Sequence, residues 1–185
     1  ITNLGGKAIL TNPNLPSGTD RIYSALTQMP KHNEFDFVIN LQGDMPLIKP
    51  EQIKKVITPL KHKYSIGTLA TNLKKDEVLN QNVTKVSVKW NKNNIGKAKE
   101  FFRHKDKIDE NTFHHVGIYS YTIKSIKDFV ELPTSQNEKL LNLEQYRAMD
   151  AGIGIGVTLE NNIPPSIDTK EDLNLIETII RENNE

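Results

Sequence analysis

One carboxylate of this chain, Asp44, follows an apolar run, and this position suits it to chemistry. The run and its turn read FVINLQGDMPLI over residues 37–48. Gly43 allows close backbone approach and Pro46 stiffens the exit, so Asp44 would project from the turn with little freedom. Asp168, in PPSIDTKEDL, follows another backbone restricted by proline. If the two aspartates converge, they form a hard oxygen site that suits Mg²⁺ together with phosphate oxygens and water. Turn formation and helix capping are the alternatives.

The segment PSGTDR, residues 16–21, places a hydroxyl at the start of a predicted helix. Ser17 and Gly18 would present a hydroxyl and N–H groups that can receive an anion or the polar edge of a base. Arg21 would lie one turn further along. Plain N-capping by Ser17 is the favoured interpretation of these residues taken alone.

Two further polar motifs, HHVGIY and NLEQYR, could contact a ligand. His114 and His115 are adjacent in a predicted strand, so they point to opposite faces and at most one faces a site. Glu144 and Gln145 could hydrogen-bond sugar hydroxyls, although solvated residues on a surface helix are the simpler interpretation. The same simpler interpretation applies to Arg103.

Short apolar runs alternate with longer amphipathic runs along the chain, which predicts strands that alternate with helices. The predicted strands cover residues 7–11, 35–42, 65–73, 85–90, 98–103, 114–122 and 153–160. The predicted helices cover residues 19–29, 50–60, 123–132, 141–152 and 169–183, with Gly152 and Thr169 as capping residues. We expect strand 35–42 to be buried on both faces, as in a parallel sheet. The pattern indicates one α/β domain with helices on both faces, whose ligands bind beyond the carboxyl ends of strands.

Composition excludes several classes of protein. The 24 Lys+Arg and 23 Asp+Glu residues give a net charge of +1, so no strong field favours nucleic acid or an anionic membrane. No apolar run has the length of a membrane span, and no signal-peptide pattern opens the sequence. The chain has 0 Cys, which excludes disulfides and thiolate catalysis. A cytoplasmic location is the default expectation.

Six motifs in a fixed order resemble the 3-deoxy-manno-octulosonate cytidylyltransferases, or CMP-Kdo synthetases: SGTDR, VINLQGDMPLI, NVTKV, HVGIYSY, NLEQYRAMDAG and IDTKEDL. The resemblance spans essentially the whole chain and is weakest between residues 91 and 113. It implies a Rossmann-like nucleotidyltransferase fold with a mixed sheet. It also implies the transfer of CMP from CTP to 3-deoxy-D-manno-octulosonate (Kdo), which releases pyrophosphate and activates the sugar for lipopolysaccharide assembly. The implied step is in-line attack of the anomeric hydroxyl on the α-phosphorus.

The resemblance also implies roles for individual residues. Mg²⁺ would be bound by Asp44 and Asp168, which count with Arg103 as the catalytic residues. Cytidine would be surrounded by Ser17, Gly18, Arg21 and Gln42. The Kdo carboxylate and hydroxyls would be contacted by Arg103, His115, Tyr119, Glu144 and Gln145. Residues 98–121 resemble a small β dimerisation element on the sugar side, which implies a homodimer.

Departures from the family pattern leave two alternatives open. Met45 stands where the family usually has Glu, and RHKDK replaces a proline-containing segment after Arg103. The start, ITNLGGKAILT, aligns with the family's third strand, so the triphosphate loop of the type PARxxSxRLPGK and about 60 residues of two β-α units are expected to be missing. One alternative is therefore a catalytically silent, folded binding or assembly unit. The other is a cytidylyltransferase for another acidic sugar, such as an acylneuraminate, although NLEQYR and HVGIYSY favour Kdo.

Overall fold

A mixed sheet of six strands organises the chain, in the order β1-β5-β2-β6-β4-β3. The computed structural model describes residues 1–91 and 94–182. The strands are β1 Phe37–Asn40, β2 Ile66–Thr71, β3 Lys85–Trp90, β4 Ile95–Phe102, β5 Thr112–Thr122 and β6 Ile155–Leu159. The helices are α1 Gly18–Thr27, α2 Pro50–Lys55, α3 Thr58–Lys61, α4 Ile123–Val130, α5 Gln136–Leu141, α6 Gln145–Asp150 and α7 Lys170–Glu182. Short 3₁₀ turns lie at Thr2–Leu4 and His32–Glu34. The predicted end of the last helix, Asn183, lies outside the described residues.

Strand β5 is the centre of the pairing pattern. It runs antiparallel to β1, to β2 and, at its start, to β3. Among the described strands only β2 and β6 pair in parallel. The predicted mixed α/β sheet is confirmed. The prediction of a doubly buried parallel strand at 35–42 is wrong, because β1 is a sheet edge that pairs antiparallel with β5 and leaves Phe37 38% exposed.

Helices cover both faces of the sheet. Side chains alternate along each strand, so each face carries apolar groups that the helices bury. On one face Tyr121 of β5 packs in a cluster with Phe129 of α4 and Ala148 of α6. On the other face Val116 and Ile118 pack in a second cluster near α2. The predicted arrangement of helices on both faces is therefore confirmed.

Three of the local predictions differ from the structure. Residues 7–11 form no strand, since they pair with no other described strand and Leu10 is 95% exposed. The helix predicted at 50–60 is split into α2 and α3, because Pro59 supplies no N–H to continue a single hydrogen-bond ladder. The helix predicted at 141–152 is shorter and is preceded by the separate helix α5, which Ser135 caps. Gly152 has φ 78° and ends this region as predicted.

Residues 98–121 lie within the central sheet. They include most of β4 and β5 and the loop that connects them. The dimerisation role of this segment stays a prediction. None of the helices in residues 1–91 and 94–182 has the length and apolar character needed to cross a membrane.

Candidate active site

The turn after β1 brings the two predicted aspartates together. The backbone N–H of Ile167 donates to the carbonyl oxygen of Asp44 at 2.9 Å, which joins the segment before α7 to this turn. Burial raises the pKa of Asp44, a hydrogen bond from its own backbone lowers it, and the nearby carboxylate of Asp168 raises it again. The two carboxyl groups therefore lie close enough to repel each other.

One oxygen of Asp44 has no partner among residues 1–91 and 94–182. Within this part of the chain Oδ1 is buried and accepts no hydrogen bond, although buried polar atoms are rarely left unsatisfied. Asp168 is exposed, and its Oδ2 accepts from the Ser166 hydroxyl at 3.2 Å. Within residues 1–91 and 94–182 no group of three or more His, Asp or Glu side chains could enclose a metal. A pair of carboxylates with places left for phosphate oxygens and water is nevertheless a form that Mg²⁺ sites take, so these residues fit that ion.

The start of α1 faces a small group of polar side chains. Ser17 is the N-cap, as the simpler interpretation held, and its hydroxyl accepts from the N–H of Asp20 at 3.2 Å. A Cβ added at Gly18 would lie 3.6 Å from Nε2 of Gln42 and 3.8 Å from both Nδ2 of Asn40 and Oε2 of Glu144. Gly18 therefore lies directly beside these three side chains, at distances where an added Cβ would make ordinary van der Waals contact with them.

Two predicted residues are engaged elsewhere. Arg21 donates to the Thr11 hydroxyl at 3.1 Å and so holds the exposed segment before α1. Arg103 donates to the carbonyl oxygens of Gln81 and Asn82 at 3.1 and 2.9 Å. The contacts described for these two guanidinium groups do not join them to the cluster around Gly18, and their ligand-binding roles stay predictions.

The side chain of His115 is fixed and uncharged. Burial, with a further contribution from His114, lowers the pKa of His115 to about 3. Its Nε2 lies 3.0 Å from Oγ1 of Thr68, and the Thr68 hydroxyl donates to the Ile118 carbonyl at 2.8 Å. Because that hydroxyl has a single proton, Nε2 of His115 must be the donor to Thr68, which leaves Nδ1 as an acceptor.

His115 begins a row of polar and aromatic groups. Its ring lies 5.4 Å from the ring of Tyr119, which in turn lies 6.4 Å from the ring of Tyr121. Burial raises the pKa of Tyr119 well above its usual value, and Gln145 hydrogen-bonds to this side chain. His114, in contrast, pairs with Glu77 at 3.1 Å. The structure thus brings three of the predicted sugar-side residues, His115, Tyr119 and Gln145, into one row.

Glu144 connects this row to the start of α1. Its carboxylate accepts from the backbone N–H of Thr19 at 3.4 Å and, in a short contact, from the Thr19 hydroxyl. The same hydroxyl lies 3.1 Å from the Tyr121 hydroxyl. Burial, then the charge of Glu144, raises the pKa of Tyr121, so this hydroxyl stays protonated. The predicted nucleotide and sugar residues therefore meet at the contact between Thr19 and Glu144.

Sequence reasoning missed Arg147. Its guanidinium is buried, donates to both oxygens of Glu138 at 2.6 and 2.9 Å, and donates to Oδ2 of Asp20 at 2.9 Å. Burial lowers the pKa of Arg147, but the hydrogen bonds that it donates to Glu138 and Asp20 outweigh burial, and the net pKa is raised. The signal in the sequence was weak, namely a single cation three residues after Glu144 and next to Tyr146 and Ala148.

Comparison with known proteins shows the family of this chain. The sequence model of the family described as cytidylyltransferase matches residues 1–158. The 3-deoxy-manno-octulosonate cytidylyltransferase of Rickettsia bellii is 41% identical over 175 residues, which are 94% of this chain and 70% of that protein. The chain belongs to the 3-deoxy-manno-octulosonate cytidylyltransferase family. The member from Bradyrhizobium sp. is 39% identical over 176 residues, covering 94% of this chain and 72% of that protein.

A solved structure of the same family shares the fold. It is a CMP:2-keto-3-deoxy-manno-octonic acid synthetase complexed with CTP, with a TM-score of 0.83 and 30% identity over 98% of this chain and 75% of that one. A UDP-glucose pyrophosphorylase gives a TM-score of 0.62 at 10% identity, covering 89% of this chain and 62% of that one, and this shows likeness of fold alone. The cytidylyltransferase family therefore accounts for both the motifs and the sheet.

Proposed function

We propose that this cytidylyltransferase transfers CMP from CTP to Kdo, giving CMP-Kdo and pyrophosphate. The observation that supports this most is the junction between the turn after β1 and the segment before α7. There, the buried and unpartnered Oδ1 of Asp44 lies near the carboxylate of Asp168. Such a pair of acidic groups suits chemistry on a phosphate chain, because Mg²⁺ is commonly held by one or two carboxylates and by substrate phosphates.

The metal site and the nucleotide would share this end of the sheet. Asp44 and Asp168 would hold Mg²⁺, which supplies charge neutralisation to the triphosphate when bound. Gln42 and the start of α1 at Ser17 and Gly18 would bind the cytidine, since the Gln42 carboxamide lies beside Gly18. Aligning the α-phosphorus with the attacking hydroxyl is then the main task of these residues, since phosphoryl transfer depends chiefly on positioning and electrostatic stabilisation.

The sugar would lie along the row that leads away from Glu144. Its hydroxyls would bond to Glu144 and Gln145, while Tyr119 and His115 would supply neutral hydrogen-bonding groups. Because the pKa of His115 is lowered to about 3, this ring would act at neutral pH as an uncharged group. Arg103 would bind the sugar carboxylate through its two-pronged guanidinium, and it would first have to exchange its present bonds to the carbonyls at 81 and 82.

Pyrophosphate release from CTP, Mg²⁺ and Kdo tests the proposal directly. We expect turnover with the unaltered chain and its loss in Asp44→Asn, with Asp36→Asn as the matched control because Asp36 is an exposed aspartate next to the same strand. Replacing Kdo by N-acetylneuraminate tests the sugar class, and Kdo should be the preferred acid. No release above background with any of the acids would favour the silent binding unit and contradict the proposal.

We also propose a homodimer formed through residues 98–121. The alternation of β4 leaves Lys97 and Lys99 exposed beside an open groove of about 390 Å³, which is lined in part by Trp90, Lys99 and Asp109. These exposed groups could meet complementary groups of a second copy. Sedimentation velocity should give the dimer mass for the unaltered chain and a shift towards monomer for Lys99→Glu. A monomer at all concentrations of the unaltered chain would contradict this assignment.

A further inference from the structure

An ion-pair network inside the protein joins the starts of three helices. Arg147 of α6 has a side chain that is 1% exposed and contacts carboxylates on two sides, Glu138 of α5 and Asp20 of α1. Its guanidinium also lies 4.8 Å from the centre of the Phe129 ring. The network therefore holds α1, α5 and α6 to one another at a buried point.

Asp20 connects Arg147 to the N-terminal cap of α1. Its Oδ2 accepts from Arg147 at 2.9 Å and from the hydroxyl of Ser17 at 2.6 Å. Ser17 is the N-cap of α1, so the capping hydroxyl is oriented by the same carboxylate that pairs with Arg147. The direction in which the first N–H groups of α1 point thus depends on a residue of α6.

A second bridge lies beside the first. Thr19 is fully buried and donates both its N–H and its hydroxyl to the carboxylate of Glu144. Glu144 is the residue immediately before α6, and Arg147 lies one turn inside that helix. Two adjacent contacts, Thr19 with Glu144 and Asp20 with Arg147, therefore set the start of α1 against the start of α6.

We propose that Arg147 is a positioning residue that couples the start of α1 to the start of α6, so that a cytidine nucleotide and an acidic sugar bind cooperatively. The identity of the two ligands rests on the proposed function, whereas the mechanical link between the helices does not. Nucleotide on α1 would fix Ser17 and Asp20, Asp20 would fix Arg147, and the Glu144 end of α6 would then be in place for the sugar.

The chemistry of buried ion pairs favours this role over one in stability alone. A buried charged network gives little net stability compared with apolar residues of the same volume, because the desolvation of the charges offsets their attraction. What a forked guanidinium adds is fixed geometry, since it bonds to two carboxylates in defined directions. Arg147 therefore fits a task of orientation between Asp20 and Glu138.

Amide hydrogen exchange in Glu138→Gln tests the mechanical link without any ligand. Glu138 bonds to Arg147 and caps α5, and glutamine at this position keeps the capping role while it removes the charge. We expect the amides of Thr19 and Asp20 to exchange about tenfold faster in this variant, although Glu138 itself has no described bond to either residue. The matched control is Asp128→Asn, which removes an exposed carboxylate of α4 and should leave these amides unchanged.

Calorimetric titration then tests the cooperativity. The probes are Kdo and cytidine 5′-(α,β-methylene)triphosphate, whose bridging carbon prevents turnover. In the unaltered chain each ligand should tighten the binding of the other by the same factor, at least about fivefold. In Glu138→Gln the coupling factor should fall towards one. The dissociation constant of each ligand measured alone should change by a smaller factor than the coupling does.

The outcomes separate this inference from the proposed function. Unchanged exchange at Thr19 and Asp20 in Glu138→Gln would overturn the mechanical link. Faster exchange with an unchanged coupling factor, or no coupling in the unaltered chain, would overturn the cooperative role. If the unaltered chain bound neither ligand, the proposed function would fail, and the exchange experiment would still decide the link between the helices.

Discussion

Changing Asp44 to Asn should have opposite effects on stability with and without Mg²⁺. Without the ion, the variant loses a charge that is half-buried, repelled by Asp168 and unpartnered at Oδ1. Asparagine keeps a polar atom at this position, so the gain comes from removing the buried charge and its repulsion by Asp168, and we take about 1 kcal/mol because Asp44 is only half-buried. For a domain of this size, 1 kcal/mol corresponds to a rise in Tm of about 2–4 °C.

Adding Mg²⁺ should make the unaltered chain more stable than Asp44→Asn. At a concentration of about 100 times Kd, the ion stabilises the unaltered chain by about 2.7 kcal/mol, or about 5–10 °C. Loss of a ligand should weaken binding at least about a hundredfold, since the loss of groups that merely orient a ligand already weakens it about 10–100-fold. The variant would then gain only about 0.4 kcal/mol at the same concentration of ion. Differential scanning fluorimetry in EDTA and in Mg²⁺ measures both effects.

The stability difference between Asp44→Asn and the unaltered chain should depend on pH. The pKa of Asp44 is raised in the folded protein, so its charge destabilises the fold above that pKa and ceases to do so as the group protonates. The higher melting temperature of Asp44→Asn in EDTA should therefore be fully present at neutral pH, and the difference should shrink as the pH falls towards 3.8. If Asp44→Asn melted below the unaltered chain in EDTA, or kept the whole Mg²⁺ shift, the assignment of Asp44 as a metal ligand would be contradicted. The control Asp36→Asn should behave as the unaltered chain does.

Three further predictions concern the scaffold. Arg147→Met should lower the free energy of unfolding in urea by about 3–5 kcal/mol, because its carboxylate partners would stay buried without a cation; a loss below 1 kcal/mol would show that they reach water. Gly67→Ala should cost about 1–3 kcal/mol by the same measurement, since its Cβ would lie 2.5 Å from the carbonyl oxygen of Val56, whereas Gly117→Ala has nothing within 4 Å and should be nearly neutral. The pKa of His115 is lowered from 6.5 to about 3 in the folded protein. As the pH falls from 6.5, the unfolded chain therefore binds a proton that the folded chain does not, and the free energy of unfolding falls by up to about 1.4 kcal/mol per pH unit. His115→Gln should lack that component of the pH dependence, and an identical profile would contradict it.

Local sequence patterns predicted the starts of α1, α2, α4 and α7 to within one residue, together with the turn that carries Asp44. The hydroxyl of Ser17 and the φ of Gly152 follow from short-range rules of capping, and the structure agrees with both. Asp44 could be assigned to a turn at the end of a strand because glycine and proline flank it. These features depend on neighbours only a few residues away, so the sequence alone could predict them.

Pairing between distant segments could not be predicted in the same way. The apolar residues of β1 are compatible with an inner parallel strand, but its only described partner is β5, and the two are antiparallel. Arg147 was missed because a cation in a short helix usually faces water, and only its two distant carboxylates make it a core residue. The bonds of Arg103 to the carbonyls at 81 and 82 likewise depend on where two loops meet.

The contact between Asp20 and Arg147 joins residues that are 127 positions apart. A ribosome adds about 5–20 residues per second, so a growing chain would carry the acidic end of α1 for about 6–25 s before its cation had even been synthesised. Throughout that interval Asp20 would lack its cation, and the starts of α1 and α6 could not yet meet. The contact between these two helix starts can therefore form only late in the synthesis of the chain.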